Sequence, residues 1–200
     1  MDDDPYRRVS RRELYRNPWL AVEAHAIVHP SGEPGEHLLV LTSPTCAIVV
    51  EDGDELVFAR QPRFAARRSI VEIVKGGAEG DEDRLQSARR ELREELGVVA
   101  GRWSELGGLY EIPSIVAGCV RLYLARDLTF VGPQPESVES ITPVRLKIGE
   151  ALEAAGRGSI EDAVTVAALF RYAVAEGWLA PTAAAPTRDP TVVRARRARD

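Results

Sequence analysis

Glu91, Glu94 and Glu95 stand at i, i+3 and i+4 in the run Arg-Glu-Leu-Arg-Glu-Glu-Leu-Gly at 90–97. That spacing sets three carboxylates on one side of a helix. Like charges on adjacent turns repel and lower helix stability, so a chain that carries them calls for a compensating cation. Clustered carboxylate oxygens suit a hard divalent ion such as Mg²⁺. Such ions clamp phosphate oxygens and lower the pKa of bound water. Taken alone, the same helix reads as a solvated acidic face braced by i,i+4 pairs such as Arg90–Glu94.

The elements that must position these residues are legible as changes of period. Segments 21–29, 36–42, 46–52 and 55–61 are short and rich in aliphatic residues, separated by Pro-Ser-Gly-Glu-Pro-Gly at 30–35 and Glu-Asp-Gly-Asp at 51–54. They read as antiparallel strands joined by turns. A further strand over 69–74 is expected to break at Gly76-Gly77. Leu85, Ala88, Leu92 and Leu96 then recur every three or four residues, the apolar stripe of a helix that Gly97 ends. Strands return at 107–112, 119–126 and 138–146. Helices follow over 147–156 and 160–177, the second burying Val164, Ala167, Leu169 and Phe170. Strands interrupted by one helix and followed by two more predict an α+β fold.

Composition narrows the setting. Two hundred residues, 44% hydrophobic and 28% charged, give a globular balance with enough chain for a real core. The net charge of −5 offers no electrostatic reason to expect nucleic acid. No run approaches the roughly 20 apolar residues of a membrane span, and the N-terminus lacks the apolar stretch of a secretory signal; a cytoplasmic protein is expected. Cys46 and Cys119 are too few for a disulfide framework or a zinc site, and Cys119 reads as a small core residue. His25, His29 and His37 have no ligand spacing.

Read in order, Gly76, five residues, Glu82, seven residues, then Arg90-Glu91-Leu92-Arg93-Glu94-Glu95-Leu96-Gly97-Val98 resembles the Nudix box, G-x5-E-x7-R-E-U-x-E-E-x-G-U with U aliphatic, at every specified position. Around it, the Tyr15–Trp19 segment, the Pro30–Gly32 turn, Arg60–Arg63, Glu72-Ile-Val and Pro113 are similar to the ADP-ribose pyrophosphatase branch, as are Glu136–Glu139 and 158–172. The resemblance implies a Nudix-type α/β/α sandwich with a mixed β-sheet and an N-terminal antiparallel β-sheet. It also implies a division into N-terminal strands and dimerisation region (1–45), Nudix hydrolase domain (46–180) and flexible tail (181–200).

The resemblance further implies Mg²⁺-dependent hydrolysis of ADP-ribose or another nucleoside diphosphate sugar, with Mn²⁺ as a possible substitute. Glu91 and Glu95 are expected as metal ligands, Glu94 as completing the cluster or holding a second metal, and the backbone carbonyl of Lys75 or Gly76 as a further ligand. Arg90 is expected to orient a glutamate, and Glu82 to do likewise or to cap the helix. Gly76 and Gly97 serve backbone geometry. Glu136, or failing it Glu139, is the expected catalytic base. For substrate, Arg63 suits phosphate, Glu72 suits ribose hydroxyls, Trp19 either stacks on a base or is core, and Pro113 marks the branch. Lys75 departs from the branch's usual residue; it either reaches a substrate phosphate or points into water. No membrane or nucleic-acid partner is expected, and a homodimer follows by analogy. The alternatives are a non-catalytic Nudix-fold sensor of ADP-ribose, against which the complete box argues, or a Nudix hydrolase for a GDP- or UDP-sugar, a dinucleotide or an oxidised nucleotide.

Overall fold

The segment Cys-Ala-Ile-Val-Val at 46–50 is apolar at every position, which suits a strand covered on both faces. In the computed structural model, which describes residues 4–132 and 140–179, it lies in β4 (Thr45–Asp52) at the centre of a mixed sheet. Cys46, Ile48 and Val50 pack under one helix, α1 (Arg84–Leu96), and Ala47 and Val49 pack under two others, α2 (Ile148–Gly156) and α3 (Ala163–Ala175). The result is a sheet sandwiched between one helix and a helix pair.

That sheet runs in the order β11 (Thr142–Lys147), β5 (Glu55–Arg63), β4, β10 (Val120–Phe130), β8 (Val98–Leu109). Strand β10 is parallel to β4, with Val120 opposite Thr45, and the other pairs on this path are antiparallel. Two short strands complete it: β6 (Arg68–Glu72) on β5 and β7 (Val74–Gly77) on β4. A smaller sheet is built from β1 (Arg7–Arg16), β2 (Leu20–Val28) and β3 (Pro34–Thr42), with β9 (Val116–Ala117) as its fourth strand. It is antiparallel through β1–β3, as the sequence suggests. The parallel pairing of β9 on β3 makes it mixed as well.

Several elements differ from their sequence reading, each for an identifiable reason. Strand β1 has no counterpart in that reading, because all ten of its residues are exposed and no apolar face marks it. Strand β8 begins at Val98 rather than 107, since it lies at the sheet edge, where only Val98 is buried and no alternation of buried and exposed positions marks it. Gly76 and Gly77 continue a strand instead of breaking one, pairing with Cys46 and Thr45. Helix α3 buries Val164 and Leu169, but Phe170 is 62% exposed and Ala167 only half-buried; Ala168, Tyr172 and Ala173 take the core positions. Cys119 is half-exposed, not core.

At the end of the sheet remote from Thr45, a polar network fixes α3 to the strands. Arg126 donates from Nε and Nη2 to the two oxygens of Glu51, each at 2.7 Å, and its Nη2 lies 2.6 Å from Glu176. The Tyr172 hydroxyl, itself buried, donates to Glu51 Oε2 at 2.6 Å. Burial alone would raise the Glu51 pKa, but the bonds from Arg126 and Tyr172 outweigh it and hold the carboxyl below its ordinary value. The stabilisation is therefore complete above the unfolded carboxylate pKa and is lost as pH falls through the lowered folded value. We expect Tyr172→Phe to cost about 1.5–3 kcal/mol at pH 7 in urea unfolding, with the deficit narrowing below about pH 4. A deficit constant from pH 7 to pH 3 would assign the loss to packing instead.

Candidate active site

Helix α1 starts and stops where its chemistry dictates. Asp83 is the N-cap, accepting from the Leu85 and Gln86 amides at 2.9 and 2.8 Å, while the Gln86 side chain accepts in return from the Asp83 amide. Gly97 ends the helix in the left-handed region, φ 64°, where a side chain is disfavoured. Leu92 and Leu96 face the sheet, which sets the flanking Glu91 against β7 at Gly76; Glu95 is 4% exposed and close enough to Cys46 on β4 for its charge to act on the thiol.

Arg90 is the hub of the box. Its Nε donates to Glu82 Oε1 at 3.2 Å, Nη1 to Glu94 Oε2 at 2.9 Å and Nη2 to the Gly77 carbonyl at 2.7 Å, and Nη1 lies 3.0 Å from Glu91 Oε1. Burial opposes the guanidinium charge, yet Glu82, Glu91 and Glu94 together raise the Arg90 pKa well above its ordinary value. Glu82 is held low chiefly by its bond with Arg90. It also accepts from the Glu79 amide and the Ser87 hydroxyl, both at 3.1 Å. Glu82 is thus a brace between the loop and Arg90, and the helix cap is Asp83.

The donors fit a hard divalent cation. Gly76 approaches so closely that a Cβ there would lie 1.8 Å from Glu91 Cδ, so the carboxylate of Glu91 rests directly over the strand carrying the Gly76 carbonyl. Among the described residues no three acid, imidazole or thiol side chains form a converged set, and Arg90 engages Glu91 and Glu94 alike. The candidate donors are Glu91, Glu95, a backbone carbonyl of Lys75 or Gly76 and, completing the cluster, Glu94, all oxygens, with the remaining positions suited to water. Cys46, beneath them, donates to the Gly76 carbonyl at 3.6 Å; burial first, then the charge of Glu91, pushes its pKa up to about 12. It is a neutral thiol at neutral pH.

A cleft of about 580 Å³ opens beside these residues, lined by Lys75, Gly76, Arg90, Glu91 and Glu94 on one side and by Pro18 and Trp19 on the other. Trp19 is 77% exposed, which removes it from the core. Lys75 neither reaches free into the cleft nor points into water. Its Nζ donates to Asp162 Oδ1 at 2.7 Å and forms an ion pair with Glu72 Oε2 at 3.1 Å. Glu72, 1% exposed, is also bonded through Oε1 by Arg63, from Nε at 2.8 Å and from Nη2. Both Glu72 oxygens are thus occupied by cations, and a ribose hydroxyl would have to displace one. Pro113 is not brought to the glutamates; it lines a separate cavity with Tyr6, Arg11, His25 and His37 against the smaller sheet. Glu136 and Glu139 lie outside the described residues.

Sequence reasoning overlooked Asp162 and Thr165. The Asp162 side chain caps α3 by accepting from the Thr165 amide at 2.8 Å. An Asp directly before an apolar helix was the available signal; its link to Lys75, 87 residues earlier, had none.

A nucleoside diphosphate sugar hydrolase N-terminal domain profile matches residues 6–39, and a NUDIX domain profile matches residues 41–157. The chain is 29% identical over 187 residues to an ADP-ribose pyrophosphatase of Mycobacterium tuberculosis (strain ATCC 25618 / H37Rv), covering 90% of each chain. It is 28% identical over 122 residues to the NAD-capped RNA hydrolase NudC of Pseudomonas aeruginosa (strain LESB58), covering 60% of this chain and 42% of that one. The crystal structure of an ADP compounds hydrolase superposes with a TM-score of 0.76 over 87% of this chain and 97% of that one; at 20% identity this is a likeness of fold.

Gly76→Ala tests the donor set directly, since the methyl must push Glu91 aside. Mn²⁺ titration followed by electron paramagnetic resonance should show affinity weakened by about tenfold or more in a protein that still folds. Unchanged affinity would remove Glu91 from the ligands.

Proposed function

The chain belongs to the Nudix family, and on that premise we propose that it hydrolyses the pyrophosphate bond of ADP-ribose or a related nucleoside diphosphate sugar, releasing a nucleoside monophosphate and a sugar phosphate. The observation that carries this reading is the pairing, across one cleft, of an oxygen donor set suited to a divalent cation with an exposed tryptophan. The first suits a diphosphate and the second a base.

In this reading Mg²⁺, with Mn²⁺ as substitute, supplies charge neutralisation at the diphosphate and acidifies water. Glu91 and Glu95 hold it together with the carbonyl of Lys75 or Gly76, and Glu94 completes the cluster. Arg90 orients Glu91 and Glu94 through the bonds it already makes. Trp19 stacks on the base. Arg63, whose side chain is 41% exposed, keeps a face available to phosphate while it holds Glu72. Water attacks phosphorus, one phosphorus–oxygen bond breaks, and the proton of the water passes to a carboxylate, for which Glu136 and Glu139 are the candidates.

Residues 1–45 serve dimerisation, 46–180 form the hydrolase domain and 181–200 are a tail. Val9, Leu14, Tyr15 and Leu38 support an association role for the smaller sheet, because they leave large apolar side chains exposed on β1 and β3. A monomeric mass in solution would remove the dimer from this reading. Among the described residues no helix is long and apolar enough to cross a membrane, and the reading takes the cytoplasm as the site of action. A second reading keeps the chemistry and changes the substrate to a dinucleotide or its RNA conjugate, favoured by the likeness to NudC.

Two measurements test the proposal. A panel of ADP-ribose, GDP- and UDP-sugars, NADH and NAD-capped RNA, read by phosphate release after phosphatase treatment, should give the highest kcat/KM for a nucleoside diphosphate sugar; preference for the capped RNA would favour the second reading. Glu95→Gln should lower metal-dependent turnover by about a hundredfold or more with the melting temperature retained. Saturable ADP-ribose binding by the wild type without AMP release would make it a sensor.

A further inference from the structure

The strand that carries the candidate metal carbonyls is poorly supported by its own sheet. Strand β7 has four residues, two of them the consecutive glycines 76 and 77, and among the described residues it pairs with β4 alone. Glycine gives the backbone its greatest freedom, and an edge strand has no second ladder to restrain it. The strand also begins at a break. Residues 68–72 pair with β5 and residues 74–77 with β4, so the chain changes partner at Ile73. A buried amide at such a switch must find another acceptor.

Helix α3 supplies that acceptor and more. The Ile73 amide donates to Thr165 Oγ1 at 3.0 Å, and Thr165 Oγ1 donates in turn to Asp162 Oδ2 at 2.6 Å. The other Asp162 oxygen receives Lys75 Nζ at 2.7 Å, and Lys75 is also paired with buried Glu72. The Asp162 carboxyl resists burial, which would raise its pKa, because Lys75 and Thr165 hold it below its ordinary value. The side chains of Thr165 and Lys75 thus grip the strand at Ile73 and at Lys75, one residue before Gly76. Arg90 of the box holds the other end of the same strand, at the Gly77 carbonyl.

We propose that Lys75 is a positioning residue: through Asp162 on α3 it fixes the backbone of β7, and so sets the affinity of the site for its divalent cation. The inference rests on the assignment of a Lys75 or Gly76 carbonyl to the metal. It gives a role to the residue at which this chain departs from the branch it resembles. Its backbone carbonyl is untouched by any side-chain substitution, which makes the role separable from ligation.

The test is Mn²⁺ binding to the full chain without substrate, by electron paramagnetic resonance, in the wild type, Lys75→Met and Asp162→Asn. Asparagine keeps one oxygen for the cap on α3 and turns an amide NH2 towards Lys75, which cannot accept from the ammonium, so the Lys75 contact is broken and the variant reports even where Lys75→Met fails to fold. Each folded variant should bind Mn²⁺ about tenfold or more weakly. Variants that lose melting temperature but bind Mn²⁺ as the wild type does would overturn the inference and leave the hydrolase reading standing. A wild type that binds no Mn²⁺ would overturn both.

Discussion

One guanidinium holds together what electrostatics would otherwise scatter. Glu82, Glu91 and Glu94 all contact Arg90, within 3.3 Å, and the fourth partner is the carbonyl of Gly77 on the neighbouring strand. Without that cation the acidic face of α1 would be a helix under self-repulsion. With it, the end of β7 and the loop that leads from it into α1 are tied to the helix at one point. The capping residues Asp83 and Gly97 fix where the helix begins and ends, so that Arg90 and Glu91 fall opposite β7.

Much of this local arrangement is legible in the sequence because it is governed by spacing. The i, i+3, i+4 placement of the glutamates, the apolar stripe through Leu92 and Leu96, and the terminating Gly97 all lie within one helix, where period alone determines which residues meet. The apolar run at 46–50 likewise reads as a strand, and its burial on both faces follows from the absence of any polar alternation. Strand β1 has no such signature. Its ten exposed residues, half of them arginine, take strand form because β2 offers a pairing edge, and that is a property of the neighbour.

The cleft wall is the part that spacing could not supply. Lys75 and Asp162 are far apart in the chain and meet because α3 lies across the sheet beside β7; no periodicity connects them. Arg63 and Glu72 are each readable as substrate contacts by residue type, yet their closest partners are one another, since they lie on adjacent strands near a hairpin. Phe170 is exposed where burial is expected, and Ala168 is buried, because a 13-residue helix with apolar residues on most of its circumference gives period no contrast to work with. Pro113 stands where the family pattern puts it in sequence, and the fold carries it to the smaller sheet.

The parallel pairing of β4 with β10 has a kinetic consequence. Thr45 and Val120 are 75 positions apart, and β10 cannot pair with β4 until the chain between them has been brought round. Loop closure over that separation is entropically costly, and folds dominated by such pairings fold slowly. Helix α1 lies wholly inside the closed loop. Its ties to the sheet are nevertheless short-range: Arg90 reaches the Gly77 carbonyl over 13 positions, and Glu91 rests against Gly76. The acidic helix and the strand beneath it thus belong to the local part of the topology, and the parallel ladder at the centre of the sheet to the non-local part.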